Sequence, residues 1–268
     1  MIATIKSEWR KSRFRPAFLV GAALIAGLTL LAFSANWYMA THPGSGDHPV
    51  LLSSLYPVHF VTDVLGAGFP LGAAMAIVLG AIFAGSEYSW GTLKTVLTQG
   101  PGRLTNWVGR VVVFVAWMGI MTVVLFVVGG AYSAVIALFQ NQTITWPELE
   151  TIAKGFGVIW LVFAVNGAIG MVLGVVIKQS AAALGIGLVY LLAVEVIAVR
   201  FIDSLSNGAY RWIGDLFVGQ NAGALIASIT PSPVAPSIGA EQALAVIAAY
   251  FIALLIIAGG LIRLRDVT

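Results

Sequence analysis

Six long apolar stretches constrain the fold of this chain more than any other feature of its sequence. A helix needs about 20 predominantly apolar residues to cross the hydrocarbon core of a bilayer. With 59% hydrophobic and only 9% charged residues, the chain lacks the polar residues that a water-facing exterior requires. We therefore predict an all-α integral membrane fold, with six transmembrane helices in a single domain over residues 1–268. The predicted spans are residues 16–39, 64–84, 111–139, 156–177, 181–198 and 243–262.

The basic residues are distributed unevenly between the two sides of the predicted bundle. Eleven Lys and Arg residues lie on the side that holds both chain ends, and three lie on the other side. Cytoplasmic segments carry the excess of positive charge in membrane proteins, so both ends are predicted to be cytoplasmic. An even number of spans also requires the two ends to share a side. We therefore expect a multi-pass protein of the bacterial inner (cytoplasmic) membrane.

The first 15 residues have the pattern of a basic amphipathic helix. Ile2, Ile5 and Trp9 share one face, and a stripe that includes Lys6 and Arg10 lies beside it. Such a helix can lie in the membrane interface, with its cations among anionic headgroups and its apolar face toward the acyl chains. The same basic residues would also serve as an orientation signal, and the two interpretations are compatible.

The predicted cytoplasmic loop, residues 85–110, contains a second amphipathic pattern. Ser86 is a suitable N-cap, and Glu87 would complement the dipole of a helix that begins there. Trp90, Leu93 and Leu97 would share one face, and a Gly-Pro-Gly sequence would end the helix. The residues alone therefore predict a short cytoplasmic helix close to the membrane. It could simply lie on lipid.

This loop also carries a family resemblance. The sequence EYSWGT at residues 87–92, with GPGR at residues 100–103, resembles the signature of type-2 ABC exporter permeases. The order of six spans, a basic N-terminal helix and a large outer segment at residues 200–242 is similar to that family too. The resemblance implies a transport subunit without enzymatic activity, in which this loop is a coupling helix that docks on a separate ABC ATPase. The residues that would take the docking or loop-shaping role are Glu87, Tyr88, Trp90, Gly91, Thr92, Leu93 and Arg103.

The partners implied by the resemblance are the ATPase, a second copy or a similar permease, and membrane lipid. The chain has no G-x-x-x-x-G-K-[ST] motif, so ATP and Mg would be bound by the partner, and no cofactor is expected in this chain. The histidines match no metal-binding motif, and no basic patch suits nucleic acid. Alternative functions are a self-sufficient secondary transporter and a membrane assembly protein.

Two polar residues within the spans are candidates for a substrate pathway. Glu195 would lie roughly 22 Å from the inner surface, and Asn166 would lie roughly 15 Å deep from the outer one, so the two could meet. An ionisable residue at such a depth is costly and usually faces a cavity or a partner. In the alternative interpretation, Glu195 pairs with Arg200, and Asn166 joins neighbouring helices by ordinary hydrogen bonding.

Small residues recur on two spans at the spacing of close-packed helices. Gly68-x-x-x-Gly72 continues to Ala76 and Gly80 on the second span, and a second small-xxx-small pair, at residues 170 and 174, lies on the fourth. Packing within one subunit is favoured over packing across a dimer. In the outer segment, residues 212–229 are similar in position to the re-entrant or interfacial helices of the family that the chain resembles. The polar residues within them make a seventh span unlikely.

Overall fold

The part of the protein that the structure describes is mostly helical. The computed structural model describes residues 1–42, 51–89, 102–205, 210–230 and 238–264, without the side chains of residues 87–89. No strand occurs in these residues. The helices are α1 (Ile2–Arg13), α2 (Pro16–Thr41), α3 (Phe60–Ser89), α4 (Arg103–Phe139), α5 (Leu149–Ile177), α6 (Ser180–Ser204), α7 (Arg211–Gly214), α8 (Val218–Ala227) and α9 (Ala240–Leu264).

Six of these helices are long and apolar enough to cross a membrane, so the chain is a multi-pass membrane protein. They are α2, α3, α4, α5, α6 and α9, which confirms the predicted fold class. All six extend beyond the predicted spans, and α4 begins at Arg103 instead of residue 111. Hydropathy identifies only the apolar part of a helix. The backbone hydrogen bonds continue into the polar turns on either side.

The centre of the bundle is the pair α3 and α5, whose backbones are in direct contact. A Cβ added to Gly80 would lie 2.1 Å from the carbonyl oxygen of Gly167, and one added to Gly170 would lie 2.1 Å from that of Ile77. Any larger side chain at these positions would therefore separate the two helices. The small-residue faces pack within one chain, as predicted.

Helix α1 forms as predicted, but it packs on α4 through a polar face. Thr4, Glu8 and Ser12, spaced four residues apart, are its buried residues. Thr4 lies against Gly109, and the Oγ of Ser12 accepts a hydrogen bond of 2.8 Å from the indole N–H of Trp117. The sequence pattern identified only the apolar and basic faces. On the apolar face Ile2 is exposed, whereas Trp9 stacks on Trp117 and Ile5 packs against the core, so the interfacial position of α1 stays a prediction.

Residues 210–230, which belong to the predicted outer segment, contain two short helices, α7 and α8, and neither is long enough to span a bilayer. No spanning helix forms within residues 210–230, as predicted, and the interfacial or re-entrant position stays a prediction. The buried amide of Asn221 donates hydrogen bonds of 2.8 Å to the carbonyl oxygens of Asp215 and Phe217. Asn221 therefore fixes the turn between the two helices.

Helix α4 contacts both the first helix and the last turn of the last one near the same end. Gly109 of α4 faces Thr4. The Nη1 atom of Arg103 donates a hydrogen bond of 3.4 Å to the carbonyl oxygen of Arg263. Helix α1 and the final turn of α9 thus lie at one end of the bundle, which we call the α1 end.

Candidate functional site

At the α1 end, two arginines surround the ring of Phe83 in α3. The guanidinium carbon of Arg110 lies 5.1 Å from the ring centroid, and that of Arg15 lies 5.7 Å from it. Arg110 is only 3% exposed, and its Nη2 donates a hydrogen bond of 2.6 Å to the carbonyl oxygen of Phe83. Arg15 donates a bond of 3.3 Å to the hydroxyl of Ser86. We call these four residues the arginine cluster.

The arginine cluster joins three helices. Arg15 lies between α1 and α2, Phe83 and Ser86 belong to α3, and Arg110 belongs to α4. Burying a guanidinium is expensive unless hydrogen bonds and the face of an aromatic ring compensate for the lost water. The cluster supplies both kinds of contact, so the end of α3 is fixed to its neighbours directly before residues 87–92.

The predicted start of the coupling helix is wrong. Helix α3 continues through Ser86 to Ser89, so Ser86 is not an N-cap. No residue in this stretch breaks the helix, and the hydroxyl oxygen of Ser86 accepts a hydrogen bond from Arg15. Glu87 and Tyr88 belong to the last turn of α3, with undescribed side chains. Trp90, Gly91, Thr92 and Leu93 lie outside the described residues, so the coupling helix stays a prediction.

The second candidate site surrounds Glu195 in α6. A π-helical turn, Tyr190–Val194, directly precedes it, and the N–H of Glu195 bonds to the carbonyl oxygen of Tyr190, five residues earlier. Such turns are rare and often occur at functional sites. The side chain is 5% exposed, and its Oε1 accepts a hydrogen bond of 2.5 Å from the backbone N–H of Gly219. Gly219 lies in the first turn of α8, so Glu195 caps that helix from another part of the chain.

A cavity of about 260 Å³ lies beside the carboxyl group of Glu195. Phe69, Pro70 and Ala73 of α3 form one wall. The other walls come from α6 and the start of α8. Pro70 lies inside α3 and has no N–H to donate, so the hydrogen-bond pattern of that helix is interrupted at the cavity. Two helices that line the Glu195 cavity are therefore irregular beside it: α3 at Pro70 and α6 at its π-helical turn.

Neither predicted partner of Glu195 is in contact with it. Arg200 is exposed, and the two side chains form no ion pair. Asn166 does not line the cavity, and its amide donates a bond of 2.9 Å to the carbonyl oxygen of Val162 within its own helix. The predicted meeting of Glu195 with Asn166 was wrong. Helix α3 packs against both α5 and α6, and α3 supplies the cavity wall that faces Glu195.

One family matches most of the chain. It is described as a protein family of unknown function, DUF2705, and it matches residues 51–268. The chain belongs to this family. A comparison with curated proteins gave no match. The matched residues of this DUF2705 protein include Phe83, Arg110 and the whole Glu195 cavity, whereas α1 and α2 precede them.

Sequence reasoning missed two features of this DUF2705 protein. Trp107, Arg110, Phe114 and Trp117 recur at helical spacing, and this pattern could have revealed that Arg110 faces the bundle. The pairing of Glu195 with Gly219 had no such signal. The two residues are 24 positions apart, and the contact depends on how α8 packs.

Proposed function

We propose that this protein is the membrane-spanning permease subunit of an ABC exporter in a bacterial cell membrane, with both termini cytoplasmic. The charge distribution and the family resemblance of residues 87–103 motivate the proposal. The observation that carries it is the arginine cluster. It joins α2, α3 and α4 immediately before the residues that resemble a coupling helix.

The arrangement suits the transmission of force from a partner. A displacement of the segment that follows Ser89 would act directly on the end of α3. Because Arg15 and Arg110 hold that end, α2 and α4 would move with it, and α1 would follow through its contacts with α4. ATP binding would then shift the bundle between inward-open and outward-open states, provided that the ATPase has different affinities for them.

Co-purification tests the proposal. The full-length protein would be tagged, extracted from its native host in mild detergent, and examined for a stoichiometric ATP-binding subunit. Glu87→Ala should reduce both the amount of bound ATPase and its substrate-stimulated hydrolysis, because docking energy concentrates in a few side chains. The matched control is Glu150→Ala, which removes an exposed acid that pairs with Lys154 at the start of α5.

The same experiment separates the alternative functions. A secondary transporter or a membrane assembly protein would purify without a stoichiometric ATPase. If wild type and Glu87→Ala retain equal amounts of ATPase and equal coupled hydrolysis, the docking role of this segment is wrong.

A further inference from the structure

The Glu195 cavity contains one acidic group within apolar walls. The lining side chains are Phe69, Pro70, Ala73, Leu191, Leu192, Glu195, Val196 and Gln220, with Gly219 at the backbone. A volume of about 260 Å³ is slightly below the roughly 300–1,000 Å³ typical of sites for drug-sized ligands. The cavity therefore suits a small, largely apolar molecule.

An ionised Glu195 would be only partly compensated by the protein. Oε1 accepts the bond from Gly219, and the positive end of the α8 helix dipole lies on that side. Oε2 has no hydrogen-bond partner among the described residues. A carboxylate in apolar surroundings is costly unless a cation or several donors balance it. An added cation beside Oε2 would supply the missing compensation.

The position of the opening of the Glu195 cavity indicates the side from which a ligand would enter. Pro70, Leu192 and Val196 line the cavity and are also exposed on the outside of the helical bundle. Within a spanning helix, such apolar side chains face lipid or another membrane protein. A ligand that enters here must be soluble in the bilayer and must carry its positive charge on a small apolar body.

We propose that the Glu195 cavity is a binding site for a small lipophilic organic ammonium ion. The cationic group lies beside Oε2 of Glu195, and the apolar part contacts the α3 and α6 walls. The site does not depend on an ATPase, because every group in it belongs to this chain. It can therefore be tested independently of the proposed function.

Benzyltrimethylammonium is a suitable probe, and neopentylbenzene is its neutral counterpart with carbon in place of nitrogen. Equilibrium dialysis would measure the uptake of each compound at pH 7 by the full-length protein in phosphatidylcholine nanodiscs, with empty discs subtracted. Glu195→Gln removes the charge, and its amide oxygen can still accept the bond from Gly219. This variant should bind the cation about tenfold less tightly or worse, whereas its uptake of the neutral compound should not change.

Two further variants make the result decisive. Asp203→Asn neutralises an exposed acid on the same helix and should bind the cation as wild type does. Val196→Phe narrows the cavity opening without altering the acid, and it should weaken the uptake of both compounds. The proposal is overturned if wild type takes up no cation above empty discs, or if Glu195→Gln binds the cation as tightly as wild type.

Discussion

Arg110 shows how a charged residue can be buried at the end of a membrane span. Its guanidinium donates to the carbonyl oxygen of Phe83 and lies over the ring of the same residue. Both contacts replace interactions that water would otherwise make. Charge counting from the sequence treats Arg110 as a loop cation, whereas in the structure it joins α4 to α3.

Replacing Arg110 by Met should destabilise the protein. The substitution keeps an unbranched side chain but removes a buried charged hydrogen bond, which contributes about 1.5–3 kcal/mol. The free energy of unfolding in mixed detergent micelles should fall by about that amount. Arg10→Met is the matched control, because Arg10 is exposed on α1, and its effect should stay within about 0.5 kcal/mol. Equal stabilities of the two variants would show that the arginine cluster does not hold α3 and α4 together.

At the level of single residues, the sequence revealed that Glu195 was unusual but not what it contacts, and it missed Arg110. Glu195 could be identified because an acid within an apolar span is costly. Its partner could not, because a backbone N–H carries no sequence signature and any residue other than proline supplies one. The partners proposed from sequence, Arg200 and Asn166, were side chains.

Among the helices, α3 and α5 define the centre of the molecule because glycines bring their backbones together. The two backbones are in close contact at Gly80 and Gly170, but two other glycines of the same helices lie outside the contact. Gly66 of α3 and Gly157 of α5 have no other group within 4 Å of an added Cβ. Each helix therefore contains glycines inside the contact and a glycine outside it, so the effects of substitution at the two positions can be compared.

Gly80→Ala should destabilise the protein, whereas Gly66→Ala should not. The new methyl group at residue 80 would meet the carbonyl oxygen of Gly167, and overpacking of this kind costs about 1–3 kcal/mol. At residue 66, alanine has free space and favours the helix by up to about 1 kcal/mol. Unfolding titrations of both variants would measure the difference. A Gly80→Ala protein as stable as Gly66→Ala would contradict the backbone contact between α3 and α5.

The predicted coupling helix can also be tested by a substitution within one helix. Gly91→Pro would remove a backbone N–H and distort a helix at that residue, at a cost of about 3 kcal/mol. The variant should still insert and fold, but it should lose the ATPase more completely than Glu87→Ala. The amount of co-purified ATPase and the melting temperature of the membrane subunit would be measured together. Full partner binding by both variants would remove the main support for the ABC proposal.

The sequence predicted the six spanning helices well and their ends poorly. The thickness of the bilayer sets the number of apolar residues that a span needs, so each span could be recognised from its run of apolar residues. The ends depend on contacts that hydropathy does not register, such as the bonds of Arg103 and Arg110 within the first turns of α4. The polar face of α1 was missed for the same reason, because its partners Gly109 and Trp117 lie on another helix.

For the whole molecule, the shared position of α1 and the last turn of α9 agrees with an even number of spans. The bond between Arg103 and Arg263 and the contact between Thr4 and Gly109 place both at one end of the bundle. The eleven-to-three distribution of Lys and Arg predicts that this end is cytoplasmic.

Reporter fusions would determine the orientation. Alkaline phosphatase fused after Thr268 should be inactive, because that enzyme folds only outside the cytoplasm, and green fluorescent protein fused there should be fluorescent. A phosphatase inserted at residues 44–46, which lie outside the described residues, should be active. The opposite pattern at Thr268 would invert the predicted topology and would make the loop at residues 85–110 inaccessible to a cytoplasmic ATPase.

The direct backbone contact between α3 and α5 also has a mechanical consequence. Where main-chain atoms touch, no side chain lies between the helices that could change rotamer and let one slide past the other. The two helices are therefore expected to move together as one rigid body. Helix α6 is different, because it is mostly exposed and a wider turn at Tyr190–Val194 interrupts it beside Glu195. Bending in this protein is thus expected to concentrate at that turn, while the α3–α5 pair stays rigid.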